Sequence, residues 1–171
     1  NEHYLFDREV TLFGLRIYGS PWQPEFFNWA FNLPRNGPQL REVWSRIPEG
    51  IDILVTHGPP HRIHDRTVEG DDAGDEVLRA RLFTMTEPPR LHVFGHIHEG
   101  YGYDIWNDRM DRATVAANAS ICTRNYAPRN KPLVFDVPVD SPCLDVRIAI
   151  PPNVTERFGG QPVIDPTSVK V

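Results

Sequence analysis

Cysteine is scarce in this 171-residue chain: Cys122 and Cys143 stand far apart and form no CxxC pair. Two such residues fit buried, reduced thiols better than a disulfide framework. An excess of positive charge is also missing. Eighteen Lys and Arg face 23 Asp and Glu, for a net charge of −5 and a pI near 5.8. That balance excludes a general nucleic-acid groove, which shows a basic stripe. It does not exclude a small phosphate ester, because bound metal ions supply positive charge locally. No apolar run approaches the ~20 residues that a membrane span requires. The opening "NEHYLFDREV" lacks the basic and apolar regions of a signal peptide. The expected location is therefore the cytoplasm. Internal repeats and low-complexity tracts are absent as well.

What is present is proline, 17 residues of it, together with 40% hydrophobic residues. This describes one loop-rich domain, long enough to bury a core. "VTLFGLRIYGSP" reads as one strand or a tight hairpin about Gly14. An aromatic segment follows, with Trp22, Phe26, Phe27, Trp29 and Phe31. It reads as core or loop packing, or as a wall that stacks on a nucleobase or aryl ester. In "GPQLREVWSRIP", Leu40, Val43, Trp44 and Ile47 recur at helical spacing, and Pro38 stands near the start. "IDILVTHGPP" is an apolar run closed by turn residues, as a buried strand would be. Residues 62–74 are charged and read as a surface loop. "DEVLRARLFTM" predicts a second helix with Val77, Leu78, Leu82 and Met85 inward. "RLHVFGHIH", "ATVAANASICT" and "KPLVFDVP" read as further strands, and "LDVRIAI" as an edge strand or ordered tail. Strands alternating with helices define an α/β fold.

Histidine is where the chain concentrates chemistry. Two strands, ending in "THGPP" and "GHIH", deliver His57, His96 and His98 at their carboxyl ends, the edge at which α/β sheets bind ligands. His96 and His98 would share a face if the extended geometry ran that far. Three neutral imidazoles suit a borderline transition metal such as Zn, Mn, Fe or Ni. His61 and His64 read as exposed loop residues, and His92, inside an apolar strand, as a core histidine. Glu99, Tyr101 and Asn118 are candidates for orienting the ligands or meeting substrate. Arg124, Arg129 and Lys131 read either as anion-steering charges or as solvated surface. "NAS" and "NVT" match the glycosylation sequon, a weak reading without a secretory signal.

"YGSPWQPEFFNWAFNLPR", "IDILVTHGPP", "LHVFGHIHEGYG" and "NASICT" together resemble the calcineurin-like metallophosphoesterases, and most closely the metallophosphoesterase domain-containing branch. The resemblance runs from about Tyr4 to Pro138. It implies the carboxyl-terminal half of an α/β/β/α sandwich, with 1–138 a partial phosphoesterase domain and 139–171 an extension or edge strand. It also implies two divalent ions (Mn, Fe or Zn) and a phosphoester substrate, a diester ahead of a monoester or nucleotide. His57 and His96 would hold one ion and His98 its neighbour. Some family members have lost the first histidine of GHxH; this chain keeps it as His96. The family's earlier blocks, D-x-H, G-D and G-N-H-E, have no counterpart here, and "NEH" at the start has the wrong order. Neutral imidazoles offset none of the charge of two divalent ions, so a bridging carboxylate has to come from elsewhere. The chain is expected to be part of a longer enzyme. Two other readings stand beside this one: a degenerate nucleotide- or protein-binding relative, and a mononuclear zinc domain using the three histidines alone.

Overall fold

The computed structural model describes residues 2–109, 112–140 and 147–148, with side chains unassigned at 107–112 and 147–148. The chain opens with the hairpin β1 (Arg8–Leu12) and β2 (Leu15–Ser20), antiparallel from Arg8↔Gly19 to Leu12↔Leu15. Its two-residue turn has φ +52 at Phe13 and +84 at Gly14, the paired positive values whose twist matches that of the flanking strands. Two short strands, β3 (Gln23–Pro24) and β4 (Asn32–Leu33), pair in parallel around the aromatic segment. Helix α1 (Pro38–Ser45), strand β5 (Ile53–Thr56), helix α2 (Glu76–Thr84) and strand β6 (Leu91–Phe94) follow. A single 3₁₀ turn (His98–Gly100) then leads into β7 (Gly102–Arg109) and β8 (Arg112–Asn118). The main sheet has the order β1-β2-β5-β6-β8-β7. Its four inner strands are parallel and its two outer ones antiparallel. The class is α/β, as expected.

Both helices lie on one face. Leu40, Val43, Trp44 and Ile47 of the first helical segment meet Leu78, Leu82 and Met85 of the second over Tyr18 and Leu54 of the sheet. Val77, expected inward, is partly buried at the margin of this cluster. Asp75 ties the layer together. Its Oδ1 caps α2 by accepting from the N–H groups of Val77 and Leu78 at 2.7 and 3.0 Å. Its Oδ2 accepts from Trp44 Nε1 on α1 at 2.7 Å. Such a cap satisfies two donors that a helix cannot satisfy itself. Burial raises the Asp75 pKa, and the three donors pull it back.

The opposite face buries Leu91, Val115 and Ala117 beneath Leu133, Phe135 and Val137. At β5 it is less covered, and Val55 remains 38% exposed. A helix-covered sheet with a second, partly open apolar face is consistent with a fragment of an α/β sandwich. β9 (Phe135–Asp136) and β10 (Arg147–Ile148) pair with each other as a separate ladder, so the "LDVRIAI" segment does not join the main sheet where it is described. Most of the expected 139–171 extension, Cys143 included, lies outside the described residues. No helix among the described residues is long and apolar enough to cross a membrane.

The charged stretch 62–74 differs from its expectation as a surface loop. Arg62 and Arg66 are exposed, but Ile63 and Asp65 are buried. Asp65 Oδ2 accepts from the backbone N–H of Arg62 at 2.8 Å and of Gly74 at 2.9 Å, so the loop folds around a carboxylate. A pattern of charge does not reveal that one charge serves the backbone. His61 and His64 are accordingly half-buried rather than exposed. His61 Nδ1 lies 3.7 Å from Asp65 Oδ2, and His64 Nδ1 is 3.0 Å from the carbonyl of Gly100.

Candidate metal centre

Strand β5 ends at Thr56 and β6 at Phe94, so His57 and the "GHIH" turn emerge side by side from neighbouring parallel strands. The backbone N–H of Gly95 donates to the carbonyl of His57 at 3.0 Å and ties the two strand ends together. His57 Nε2 and His96 Nδ1 are then 3.1 Å apart, with ring centroids at 4.8 Å. Two imidazole nitrogens bound to one ion at ~2.0–2.1 Å and a tetrahedral angle would be ~3.3 Å apart, so this spacing fits a shared ion. Burial lowers the pKa of His57. Burial first, and then the neighbouring His57 and His98 charges, bring that of His96 down to about 4. Both rings are thus neutral at pH 7, the state a metal requires.

His96 does not continue a strand, which corrects the expectation of alternation. The N–H of Ile97 donates to the carbonyl of Gly95 at 2.8 Å, and His96 between them has φ +68. This is a γ-turn with positive φ, rare and strained for a residue with a Cβ. His98 begins the 3₁₀ turn instead of pointing alongside His96. Its Nδ1 is 3.0 Å from the carbonyl of Thr123, which can only accept. Nδ1 therefore carries the proton and Nε2 is left as the basic nitrogen, the arrangement that metal-binding histidines favour. The Tyr126 ring packs edge-on against His98 at 5.1 Å. The structure brings His57 and His96 together and leaves His98 near enough only to disfavour a proton on His96. Among the described residues, no group of three or more His, Cys, Asp or Glu side chains is gathered closely enough to hold a metal ion. The imidazoles fit part of a ligand set.

Asn118, at the carboxyl end of β8, is fully buried and holds the turn in place. Its Nδ2 donates to the carbonyls of Ile97 at 2.7 Å and His64 at 3.1 Å, and its Oδ1 accepts from the N–H of Ser120 at 3.1 Å. Gly100 packs so tightly on the carbonyl of His64 that a Cβ there would overlap it. Glu99 is directed elsewhere, accepting from the N–H of Val68 at 3.3 Å, and Tyr101 donates its hydroxyl to the carbonyl of Lys131 at 2.6 Å. Arg124 forms an exposed ion pair with Glu69 at 2.9 Å.

Sequence reasoning missed a connection beneath the site. His92 is fully buried with Nε2 2.8 Å from Thr56 Oγ1, and Thr56 Oγ1 donates to the carbonyl of Gly58 at 2.8 Å. The threonine proton is thus committed to Gly58, so His92 Nε2–H is the donor. This chain steadies the turn that carries His57. The rings of Phe26 and Trp29 also reach His96, at 5.4 and 6.3 Å between centroids.

No family model matches the chain. It is nonetheless 52% identical over 135 residues to human metallophosphoesterase domain-containing protein 1 and, to the same degree, to its mouse counterpart. The alignment covers 79% of this chain and 40% of either relative. UPF0046 protein T07D4.2 of Caenorhabditis elegans is 45% identical over 139 residues, covering 81% of this chain and 33% of that protein. Over these residues the chain is similar to metallophosphoesterase domain-containing proteins, the branch that its four blocks resemble. It spans about 40% of the length of the human and mouse relatives.

Proposed function

We propose that this chain supplies histidine ligands to a dinuclear metal centre that hydrolyses a phosphoester, with diesters favoured over monoesters. The observation that carries the reading is the 3.1 Å approach of His57 Nε2 to His96 Nδ1 at the carboxyl ends of adjacent parallel strands. The names of the relatives support it.

A divalent ion pair supplies positive charge at the phosphoryl oxygens and a water made nucleophilic at neutral pH. The work of this chain is positional. His57 and His96 hold one ion, and His98, its Nδ1 fixed on Thr123, offers Nε2 to the second. Asn118 bonds the His96–His98 turn to the His64 loop, so the nitrogens stay where they converge. None of the three histidines acts as an acid or base. Iron and zinc suit imidazole ligands and manganese suits a site rich in carboxylate oxygen, and the carboxylate that balances their charge is contributed from outside the described residues. The hydrolysis is assigned to the cytoplasm.

The test uses the complete natural polypeptide that contains these residues. Dialysis against a chelator should abolish hydrolysis of a phosphodiester, and Mn²⁺ or Zn²⁺ should restore it. The 171-residue chain alone should bind these ions only weakly in titration calorimetry, since no carboxylate joins the imidazoles in a ligand group among the described residues. Turnover that survives chelation would overturn the assignment. Metal binding without turnover would favour the degenerate binding reading, which the lack of a three-ligand group among the described residues makes the natural rival.

A further inference from the structure

The loop between β3 and β4 is held by hydrogen bonds to its backbone and displays its aromatic rings. The amides of the flanking strands turn into it: Asn32 Nδ2 donates to the carbonyls of Phe26 at 3.1 Å and Phe27 at 2.9 Å. Asn32 Oδ1 accepts from Gln23 Nε2 at 3.1 Å and the N–H of Phe26 at 3.4 Å. Gln23 Nε2 also donates to the carbonyl of Ala30 at 3.2 Å. Two backbone bonds, from the N–H of Gln23 to the carbonyl of Phe31 at 3.0 Å and from that of Glu25 to Leu33 at 2.8 Å, close its base. The aromatic side chains face outward, with Phe26 43%, Trp29 51% and Phe27 73% exposed. Backbone strain accompanies this display, since Phe27 and Phe31 have φ +47 and +59.

The three rings form one cluster. Phe26 meets Phe27 at 4.5 Å and Trp29 at 5.2 Å, both edge to face, so flat ring surfaces remain open to solvent. The cluster adjoins His96 through Phe26 and Trp29, at 5.4 and 6.3 Å. A group attached to a phosphate held at the His57–His96 pair would lie within reach of these faces. The loop, closed by these hydrogen bonds, sets exposed rings beside the imidazoles, where their faces can meet a planar group carried by the phosphate.

We propose that Phe26, Phe27 and Trp29 form the specificity wall of the site and that its substrate is a phosphoester carrying a planar aromatic group, either a nucleobase or an aryl alcohol. The inference rests on the phosphoester reading of the histidines. Stacking on an aromatic face tolerates any planar ring, so the wall selects for aromaticity rather than for one base.

Non-hydrolysable phosphonates provide the test, by titration calorimetry on the metal-loaded complete polypeptide. Phenylphosphonate should bind about tenfold or more tighter than methylphosphonate, a ratio expected of one stacking contact. Trp29→Leu and Phe26→Leu should bring the ratio to within about twofold by weakening only the phenyl compound, while Trp29→Phe keeps most of it. Phe27→Ser, at the most exposed ring, should lower the ratio in the same direction with an unchanged melting temperature, which separates lost stacking from a folding defect. A nucleoside 5′-phosphonate binding tighter than phenylphosphonate identifies the group as a nucleobase; the reverse order identifies an aryl ester. Equal affinity of the wild type for phenyl- and methylphosphonate overturns the wall and leaves the metal reading standing. Failure to bind either overturns both. An equal loss for both ligands in Trp29→Leu also overturns the wall, because the ring would then only prop up His96.

Discussion

Replacing His96 with glycine should empty one metal position, reduce turnover severely and leave the melting temperature almost unchanged. Loss of a group that merely orients a ligand typically costs ~10–100-fold, so loss of a ligand itself should exceed about 100-fold. Stability is spared for a local reason. His96 has φ +68 at the centre of its γ-turn, a conformation that costs a residue with a Cβ ~1–2 kcal/mol and glycine almost nothing. Relief of that strain offsets the lost ring contacts with Phe26 and Trp29, edge-on interactions worth about 0.5–1.5 kcal/mol each. Metal analysis of the variant should find about one ion, against the two that the proposal expects of the parent. Kinetics on a phosphodiester and a thermal melt complete the check. Two retained ions and near-normal rates would mean that His96 is not a ligand.

The reverse pattern is expected at His92. His92→Ala should leave a cavity in a fully buried position and remove the donor on Thr56 Oγ1. Together these should cost on the order of 3 kcal/mol, or ~6–12 °C for a domain of this size. Metal stoichiometry should stay at the parental value, with some loosening of the His57 turn through Thr56 and Gly58. Burial brings the His92 pKa down to about 3 from an ordinary value of 6.5. The folded state thus favours the neutral ring, and the unfolded state binds the extra proton between those two values. Its contribution is fully present above pH 6.5 and is lost as pH falls toward 3. From this group alone the loss is on the order of 4 kcal/mol. His57 and His96 act in the same direction. Urea unfolding measured from pH 7 to pH 3 should therefore show a shallower acid decline in His92→Ala than in the parent. Equal slopes would place the acid sensitivity elsewhere.

The main elements were legible because their signals are local. Leu40, Val43, Trp44 and Ile47 repeat at helical spacing, and "IDILVT" and "RLHVF" are apolar runs ended by turn residues, so both helices and the central strands could be read directly. The core position of His92 followed from its apolar neighbours. The γ-turn at His96 was not legible, since it depends on a Gly95–Ile97 hydrogen bond and a φ that histidine seldom adopts. Nor was the folding of residues 62–74 around Asp65, because a buried carboxylate that accepts backbone N–H groups has the same letter as an exposed one. The aromatic segment could be read as packing or as a wall, and only the approach of Phe26 and Trp29 to His96 favours the second. Asn118 stands in the sequence as a candidate for orienting the ligands or meeting substrate, but its bonds span 54 residues to His64 and 21 to Ile97, distances that no local pattern carries.

The proposal that His57 and His96 share one ion is tested most directly by imidazole ¹⁵N spectra of the complete polypeptide during titration with Zn²⁺. Nε2 of His57 and Nδ1 of His96 should shift together, as two ligands of one ion must, while His92 stays unchanged. Nε2 of His98 should shift with the second ion, and its Nδ1 should keep its proton on the carbonyl of Thr123. Resonances of His57 and His96 that move independently, or remain where they are while zinc binds, would contradict the shared site.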